Sequence, residues 1–249
     1  MLRAILIFAT LLPSIANAKL SKAECSDIDH SEELGLPYDN AGFGWCYAYS
    51  AADLLSFKLK QKFSVPAIAL SGSILHFGEK TIEDTSGGFV ELAVIGAINQ
   101  GLCRERDFPS SGLRLATLYK QDPDNFTRKV EDACTHRIHP KAIELKVIFG
   151  NKRIQRANRI ISEGNILAVN IRSQIFDQKD TSLPLLANHV STVIGRRWNP
   201  KQSTCEFKMR NPDGKYCDTY GRKDLKCKNG HVWLNEHDFT RSTLSFSYL

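Results

Sequence analysis

The spacing of hydrophobic positions changes about halfway along the chain. From Tyr47 to Val65 there is neither glycine nor proline, and alanine and leucine recur at helical spacing before Pro66. Apolar residues occupy several faces of this run, which predicts a helix buried nearly all round. A second helix is predicted from about Phe89 to Gln100, where Gly101 supplies a stop. A third, amphipathic helix is predicted over 151–163.

The later segments have the two-residue period and β-branched content of strands. They are Ile166–Ile171, His189–Arg196, Thr204–Arg210, His231–Leu234 and Thr243–Tyr248. Helices followed by strands predict the α+β class with two lobes, a helical lobe over about 40–150 and a strand-rich lobe over about 151–249. Weaker patterns predict an irregular N-terminal arm over 19–39, one or two helical turns within Ile68–Phe77, and a loop-rich stretch from Arg104 to Asn125.

The first residues have the pattern of a secretory signal peptide. Arg3 is followed by a short apolar run and by Ala16-Asn17-Ala18, which is a typical cleavage site. Residues 1–18 are therefore predicted to be removed, and the run is too short to span a membrane. The brevity of this leader is typical of bacterial export. We expect a secreted or periplasmic product without stable membrane insertion.

The formal net charge of +6 is spread along the chain. The loose cluster of Lys152, Arg153, Arg156 and Arg159 is typical of a solvated helix face rather than of a nucleic-acid site. No nucleic-acid partner is therefore predicted, although weak attraction to anionic cell-wall polymers or membrane surfaces stays open. We expect a monomer.

Seven cysteines in an exported chain leave one thiol unpaired. If Cys46 is the free thiol, six remain for three disulfides: Cys25, Cys103, Cys134, Cys205, Cys217 and Cys227. Fifteen pairings are open, and the clustering of the last three favours a bond within that group. A zinc site that uses this group with His231 is the alternative, but its spacing fits no common finger.

Cys46 has the setting of a reactive thiol. It opens the predicted buried helix, where the helix dipole favours the thiolate that attacks carbonyl carbons. Such a nucleophile needs a base, and the base needs an orienting group. His189, at the start of an apolar strand, is the candidate base, and Asn211, at the end of the next strand, is the candidate orienter. Asn40, six residues before Cys46, could bind the oxyanion together with the Cys46 N–H.

Simpler interpretations exist for each of these residues. Cys46 could be a small buried hydrophobe, and His189 a structural histidine, with His76 or His231 as rival bases. Asn211 precedes Pro-Asp-Gly and could simply form a turn, and Asn40 could cap its own loop.

The ordered set of residues resembles the papain-like cysteine proteases, which include papain and the cathepsins. Gly44, Cys46, Tyr47, Ala48 and Tyr49 match the family's nucleophile segment, and Asn40 takes the place of its oxyanion glutamine. Ser86-Gly87-Gly88 and Arg104 to Pro109 resemble its Gly-Gly loop and Tyr-Pro segment. Asn188 through Gly195 resembles its histidine strand, and Lys208 to Asn211 its Lys-Asn segment. The similarity covers roughly Asn40 to Leu234.

This resemblance implies a two-lobed fold with a catalytic domain over 40–249, a β-barrel-like second lobe and a cleft between the lobes. It implies a cysteine endopeptidase or exopeptidase that needs no cofactor or metal and acts on a peptide or protein substrate. Gly87 and Gly88 would bind an extended peptide. The main specificity pocket would be apolar and would be formed by Phe89, Val90, Ala187 and Val190.

The sequence also departs from this family. Asn40 is one methylene shorter than glutamine, and the tryptophan that follows the family's asparagine and shields it is absent here. The cysteine before the nucleophile is replaced by Phe43, and its partner by Thr85. The stretch between Ala18 and Asn40 is too short for a long inhibitory propeptide. Two other functions stay open: a cell-wall peptide amidase or transpeptidase with the same triad, and a catalytically silent binding protein.

Overall fold

The computed structural model describes residues 19–40, 42–78, 87–110, 112–150, 152–177, 186, 188–212, 214 and 220–249. The predicted signal peptide, Thr85, Ser86, Ala187 and Cys217 lie outside the described residues. No helix among the described residues is long and apolar enough to cross a membrane.

The described residues form eight α-helices, eight strands and one short 3-10 helix. The helices are α1 (Ser31–Leu34), α2 (Cys46–Leu59), α3 (Val65–Phe77), α4 (Val90–Gln100), α5 (Gly112–Gln121), α6 (Pro123–Ala133), α7 (Arg153–Ser162) and α8 (Glu236–Ser242). The strands are β1 (Ile28–Asp29), β2 (Lys146–Phe149), β3 (Leu167–Ile171), β4 (His189–Asn199), β5 (Thr204–Arg210), β6 (Lys226–Lys228), β7 (His231–Asn235) and β8 (Thr243–Tyr248). The 3-10 helix is Ser173–Phe176.

The predicted α+β class is confirmed. All strand pairs are antiparallel, in the order β2-β8-β3-β4-β5-β7-β6, and β1 pairs with β4 beside this path. The sheet is not closed into a barrel, because in the described chain β2 and β6 end the path without pairing to each other. Since β2 pairs with β8, strand pairing begins before the expected lobe boundary near residue 151.

Pro66 and Pro123 lie at the starts of helices. The sequence pattern predicted that Pro66 ends a helix and that Pro123 lies in a loop-rich stretch. The prediction of one or two turns within Ile68–Phe77 is wrong, because α3 runs over the whole of Val65–Phe77. Ser64 caps it by accepting a hydrogen bond from the Ala67 N–H, and Pro66 lies in the first turn, where its missing N–H costs nothing. Pro123 starts α6 in the same way, so the stretch predicted to be loop-rich contains α5 and the beginning of α6.

Two hydrophobic cores lie on opposite faces of the central strands. The first joins α2, α3 and α4 to residues of β4 such as Val190 and Ile194. The second lies between the other face of the sheet and the helices α7 and α8, and it includes Val193 and Phe239. Because side chains alternate along β4, this strand contributes to both cores. It therefore holds the helical lobe against the strand-rich lobe.

The segment 19–39 is more ordered than predicted. Leu20 and Cys25 are buried in the second core, and Cys25 forms a disulfide with Cys205 on β5. The short strand β1 pairs with β4 at Gly195, where an added Cβ would lie 2.2 Å from the Ile28 carbonyl oxygen. Glycine is required at this position because any side chain would collide with the β1 backbone.

The predicted bond within the late cysteine group does not include Cys205, and for Cys217 and Cys227 it stays a prediction. Cys205 is bonded to Cys25, and Cys103 to Cys134, while Cys46 is a free thiol. Cys227 is also disulfide-bonded. A zinc site with Cys205 is therefore wrong, because its sulfur is held in a disulfide. The second bond anchors the end of α6 beside the segment that follows α4.

A buried ion pair connects the two lobes directly. The Arg210 Nε donates to both carboxylate oxygens of Asp53 at 3.0 Å, and both side chains are almost fully buried. The remaining guanidinium nitrogens donate to the carbonyl oxygens of Leu34, Gly35 and Leu36. Arg210 thus joins β5, α2 and the chain just after α1.

We expect Asp53→Ala to destabilise the fold by about 3–5 kcal/mol, since it leaves the buried Arg210 charge without its carboxylate. Urea denaturation of the purified variant measures this change. Glu163→Ala is the matched control, because Glu163 pairs with Arg159 at 4.0 Å in an exposed position. The control should lose no more than about 0.5 kcal/mol. Equal losses in the two variants would contradict a structural role for the buried pair.

Candidate active site

Cys46 is the first residue of α2, as predicted, and its thiol is half-buried. Large buried side chains on both sides hold it in place, because Trp45 and Tyr47 are almost inaccessible to solvent. The Trp45 ring stacks on Phe43 with centroids 4.3 Å apart. The helix start therefore cannot shift without disrupting the first core.

His189 is the first residue of β4, where its backbone pairs with Ile171 on β3. Its ring forms a hydrogen bond with the Cys46 sulfur. Burial alone would raise the pKa of the Cys46 thiol, but the hydrogen bond and charge of His189 lower it. The backbone N–H groups of Val190 and Tyr47 act in the same direction, and the net result is a pKa below the usual value.

Asn211 directly follows β5, and its side chain is 1% exposed. Its Oδ1 lies 3.0 Å from the His189 Nε2, while its backbone N–H donates to the Gly230 carbonyl. Cys46, His189 and Asn211 therefore lie in one connected chain of hydrogen bonds. The three side chains singled out in the sequence are brought together, and Nδ1 is the histidine nitrogen left to face the sulfur.

Asn40 and Cys46 both line one cavity, which lies between the two lobes. Its backbone N–H donates to the Pro212 carbonyl at 2.9 Å, and its Oδ1 accepts a hydrogen bond from the Gly42 N–H at 3.0 Å. The side-chain oxygen thus caps its own loop, as one alternative interpretation held. The same contact fixes the rotation of the amide, whose Nδ2 is its only donor group.

The two adjacent glycines have different surroundings. Gly87 lines the cavity, and a Cβ added there would have no atom within 4 Å. At Gly88 a Cβ would lie 2.6 Å from His76 Cε1 and 3.0 Å from the Tyr47 ring. Gly88 is therefore required for packing, whereas Gly87 presents open backbone to the cavity.

His76 supports this glycine segment rather than acting as a rival base. Its Nε2 accepts a hydrogen bond from the Phe89 N–H at 2.8 Å, and its ring lies edge-on to Tyr47. Burial lowers the pKa of His76, which favours the neutral ring that can accept this bond. The other rival, His231, is a buried residue of β7, and burial lowers its pKa to about 4.

The residues expected to form an apolar specificity pocket differ in their exposure. Val90 and Val190 are buried in the first core and are not among the residues that line the cavity. Phe89 is 63% exposed, so its ring is accessible to a ligand. Ala187 lies outside the described residues. The pocket itself stays a prediction.

The cavity has a volume of about 450 Å³ and lies between the lobes. Several of its residues were missed by sequence reasoning: Phe43, Ser173, Phe176, Asp177, Asn188 and Tyr220. Asn188 is held by Ser173, whose N–H and Oγ bond its side-chain amide at 2.8 and 2.9 Å. Proximity in the sequence could have suggested Asn188, which precedes His189, and Phe43, which lies three residues before Cys46. The others lie on segments far from the predicted site residues.

Among the described residues there is no cluster of three or more histidine, cysteine or acidic side chains suited to hold a metal ion. The site that the structure assembles consists of a thiol, an imidazole and amides. Such groups can perform nucleophilic acyl transfer.

The architecture is shared with solved cysteine proteases. Digestive procathepsin L 3 from the larval midgut of Tenebrio molitor aligns with a TM-score of 0.62 and 12% identity, over 93% of this chain and 73% of that one. The proform of the ragweed pollen allergen Amb a 11, a cysteine protease, aligns with a TM-score of 0.59 and 15% identity, over 93% and 68%. The fold is papain-like.

SERA5E from Plasmodium falciparum has the same papain-like architecture, with a TM-score of 0.57 and 10% identity, over 92% of this chain and 96% of that one. The sequence matches no protein-family model and none of the curated proteins. At these identities the likeness concerns the papain-like fold alone.

We expect Cys46 to react with iodoacetamide at pH values below the usual thiol pKa of about 8.5, because its lowered pKa keeps the thiolate present there. In His189→Ala the thiolate loses its partner, so the same rate should be reached only at higher pH. Stopped-flow alkylation between pH 4 and 10 measures both. His136→Ala, outside the cavity, is the control. If the alkylation rate of the wild-type protein followed an ordinary thiol pKa, the inferred hydrogen bond between Cys46 and His189 would be contradicted.

Proposed function

We propose that this papain-like protein is a cysteine peptidase that hydrolyses peptide bonds through a covalent thioester. The observation that carries this proposal is the hydrogen-bonded chain from Cys46 through His189 to Asn211, in a cavity between the lobes. A thiol of lowered pKa, with an oriented imidazole beside it, is the arrangement that nucleophilic acyl transfer requires.

In the first step the Cys46 thiolate attacks the carbonyl carbon of the scissile bond. The new C–S bond converts that carbon into a tetrahedral intermediate whose oxygen is negative. His189 then donates its proton to the departing amine, the C–N bond breaks, and a thioester remains on Cys46. In the second step His189 removes a proton from water, whose oxygen attacks the thioester carbon. The C–S bond then breaks, the acyl half leaves as a carboxylic acid, and the Cys46 thiolate is restored beside a protonated His189.

The negative oxygen of the intermediate needs hydrogen-bond donors. The Cys46 backbone N–H lies at the start of α2, where helix N–H groups have no partner within the helix. The Asn40 Nδ2 is the second donor in this proposal, since Gly42 holds the other end of that amide. Together they would stabilise charge that develops only in the transition state.

The substrate in this proposal is a peptide in extended form. Gly87 presents accessible backbone along the cavity wall, which suits pairing with a substrate strand. The exposed Phe89 ring offers apolar contact to a substrate side chain. Both features support binding of the part of the peptide that precedes the scissile bond, with an apolar side chain one residue before the scissile residue.

The disulfides support an exported location for this enzyme. Cys25–Cys205 and Cys103–Cys134 are typical of proteins that fold in an oxidising compartment. Export through the predicted signal peptide, to the periplasm or the exterior, is part of this proposal.

We expect an epoxide inhibitor of thiol proteases to form one covalent adduct on Cys46, detected by peptide mass spectrometry. Cys46→Ala should form no adduct and should lose at least about 10³-fold in peptide hydrolysis, because the nucleophile is gone. The substrate panel should include muropeptides and amine acceptors, so that amidase or transpeptidase activity is seen if present. A folded wild-type protein without an adduct or turnover would instead indicate a binding protein.

We expect Asn40→Ala to lower kcat by about 10²–10³-fold with little change in KM, since the lost donor acts on the transition state. Steady-state kinetics on the best peptide measures both constants. Asn99→Ala, on the exposed face of α4, is the matched control and should behave like wild type. Unchanged kcat in Asn40→Ala would leave Asn40 with its loop-capping role alone.

A further inference from the structure

Tyr220 is a buried aromatic residue in the wall of the cavity, 5% exposed. Its ring centroid lies 5.4 Å from that of Phe176. The Phe176 ring in turn stands edge-on to His189, with centroids 6.4 Å apart. The two aromatic rings therefore lie beside the histidine and asparagine of the site and limit the access of water to them.

The hydroxyl of Tyr220 contacts the site directly. Asn211 Nδ2 donates a hydrogen bond to Tyr220 Oη at 2.5 Å, while Asn211 Oδ1 faces His189 Nε2. The two ends of one buried amide are thus occupied by two different partners. In this arrangement the amide oxygen faces the histidine, and the Tyr220 hydroxyl fixes the position of the NH₂ end.

The amide orientation determines which histidine nitrogen carries the proton. Because Asn211 Oδ1 can only accept, His189 Nε2 must be the donor, and Nδ1 is then free of hydrogen in the neutral ring. Nδ1 is the nitrogen left for the Cys46 sulfur, so this tautomer can take up the thiol proton. A rotated amide would present its NH₂ group to Nε2 and would favour hydrogen on Nδ1, where no base would face the sulfur.

We propose that Tyr220 is a positioning residue whose hydroxyl locks the Asn211 amide and thereby sets the tautomer of His189. The proposal rests on the cysteine peptidase function proposed above and deepens it. It assigns a role to a residue nine positions after Asn211, on a separate part of the chain. The hydroxyl acts through Asn211, whose Nδ2 donates to it.

Tyr220→Phe tests this role, because it keeps the ring and removes only the hydroxyl. We expect kcat to fall about tenfold, as for the loss of one buried hydrogen bond worth about 1.4 kcal/mol. The pH range over which kcat is high should also become narrower. A less firmly held imidazolium loses its proton at lower pH, so the alkaline limb of the profile moves to lower pH. The same imidazolium stabilises the thiolate less, so the acid limb moves to higher pH.

The pH dependence of Cys46 alkylation reports formation of the thiolate, and hence the acid limb, without any substrate, whereas the alkaline limb is read from kcat. Tyr248→Phe is the matched control, since this half-buried tyrosine lies on β8 and outside the cavity. Melting curves show whether each variant is folded. A purely structural role for the hydroxyl would lower the melting temperature and leave both limbs in place.

A double-mutant cycle with Asn211→Ala shows whether Tyr220 acts through Asn211. In the Asn211→Ala background, Tyr220→Phe should change neither kcat nor the limbs any further. An effect of the same size in both backgrounds would overturn the proposal, as would an unchanged profile in Tyr220→Phe alone. If Tyr220→Phe does not fold, the hydroxyl serves the fold and the proposal is also overturned. A wild-type profile with an ordinary thiol pKa would instead overturn the peptidase proposal itself.

Discussion

The buried Asp53–Arg210 ion pair determines how the two lobes face each other. Asp53 lies seven residues after Cys46 on α2, so both side chains point from the same face of the helix, about 10 Å apart. Arg210 is the residue directly before Asn211. The ion pair therefore joins the helix that carries the thiol to the strand that leads to Asn211. Since a charge buried alone is costly, small displacements of the lobes are strongly opposed.

The chemistry of the site depends on a balance within this rigid frame. Burial of Cys46 opposes ionisation of the thiol, and His189 together with two backbone N–H groups more than offsets that effect. The balance requires the imidazole to be held at a fixed angle. Asn211 Oδ1 lies 3.0 Å from His189 Nε2, and Asn211 is itself bonded to Gly230 and Tyr220. Electrostatics at the thiol thus depends on the packing of residues far away in the sequence.

The strongly periodic elements of the fold were predictable. The spans of β5 and β8 match the sequence pattern, and α4 begins and ends within one residue of its predicted bounds. The short edge strands β2 and β6 were not predictable, because they are only four and three residues long and are largely exposed. They exist because a neighbouring strand offers backbone partners. The prolines that start α3 and α6 misled the prediction, since proline ends a helix in its interior but suits its first turn.

The sequence by itself determined the local chemistry: a thiol at a helix start, a histidine at a strand start and an asparagine at a strand end, in a recognisable order. Local patterns carry this information because helix starts and strand ends depend on near neighbours. Only the tertiary structure decided that Cys25 bonds Cys205 across 180 residues, that Asp53 meets Arg210, and that Tyr220 holds Asn211. Such pairs depend on how distant segments pack in three dimensions, and no spacing along the chain encodes that distance.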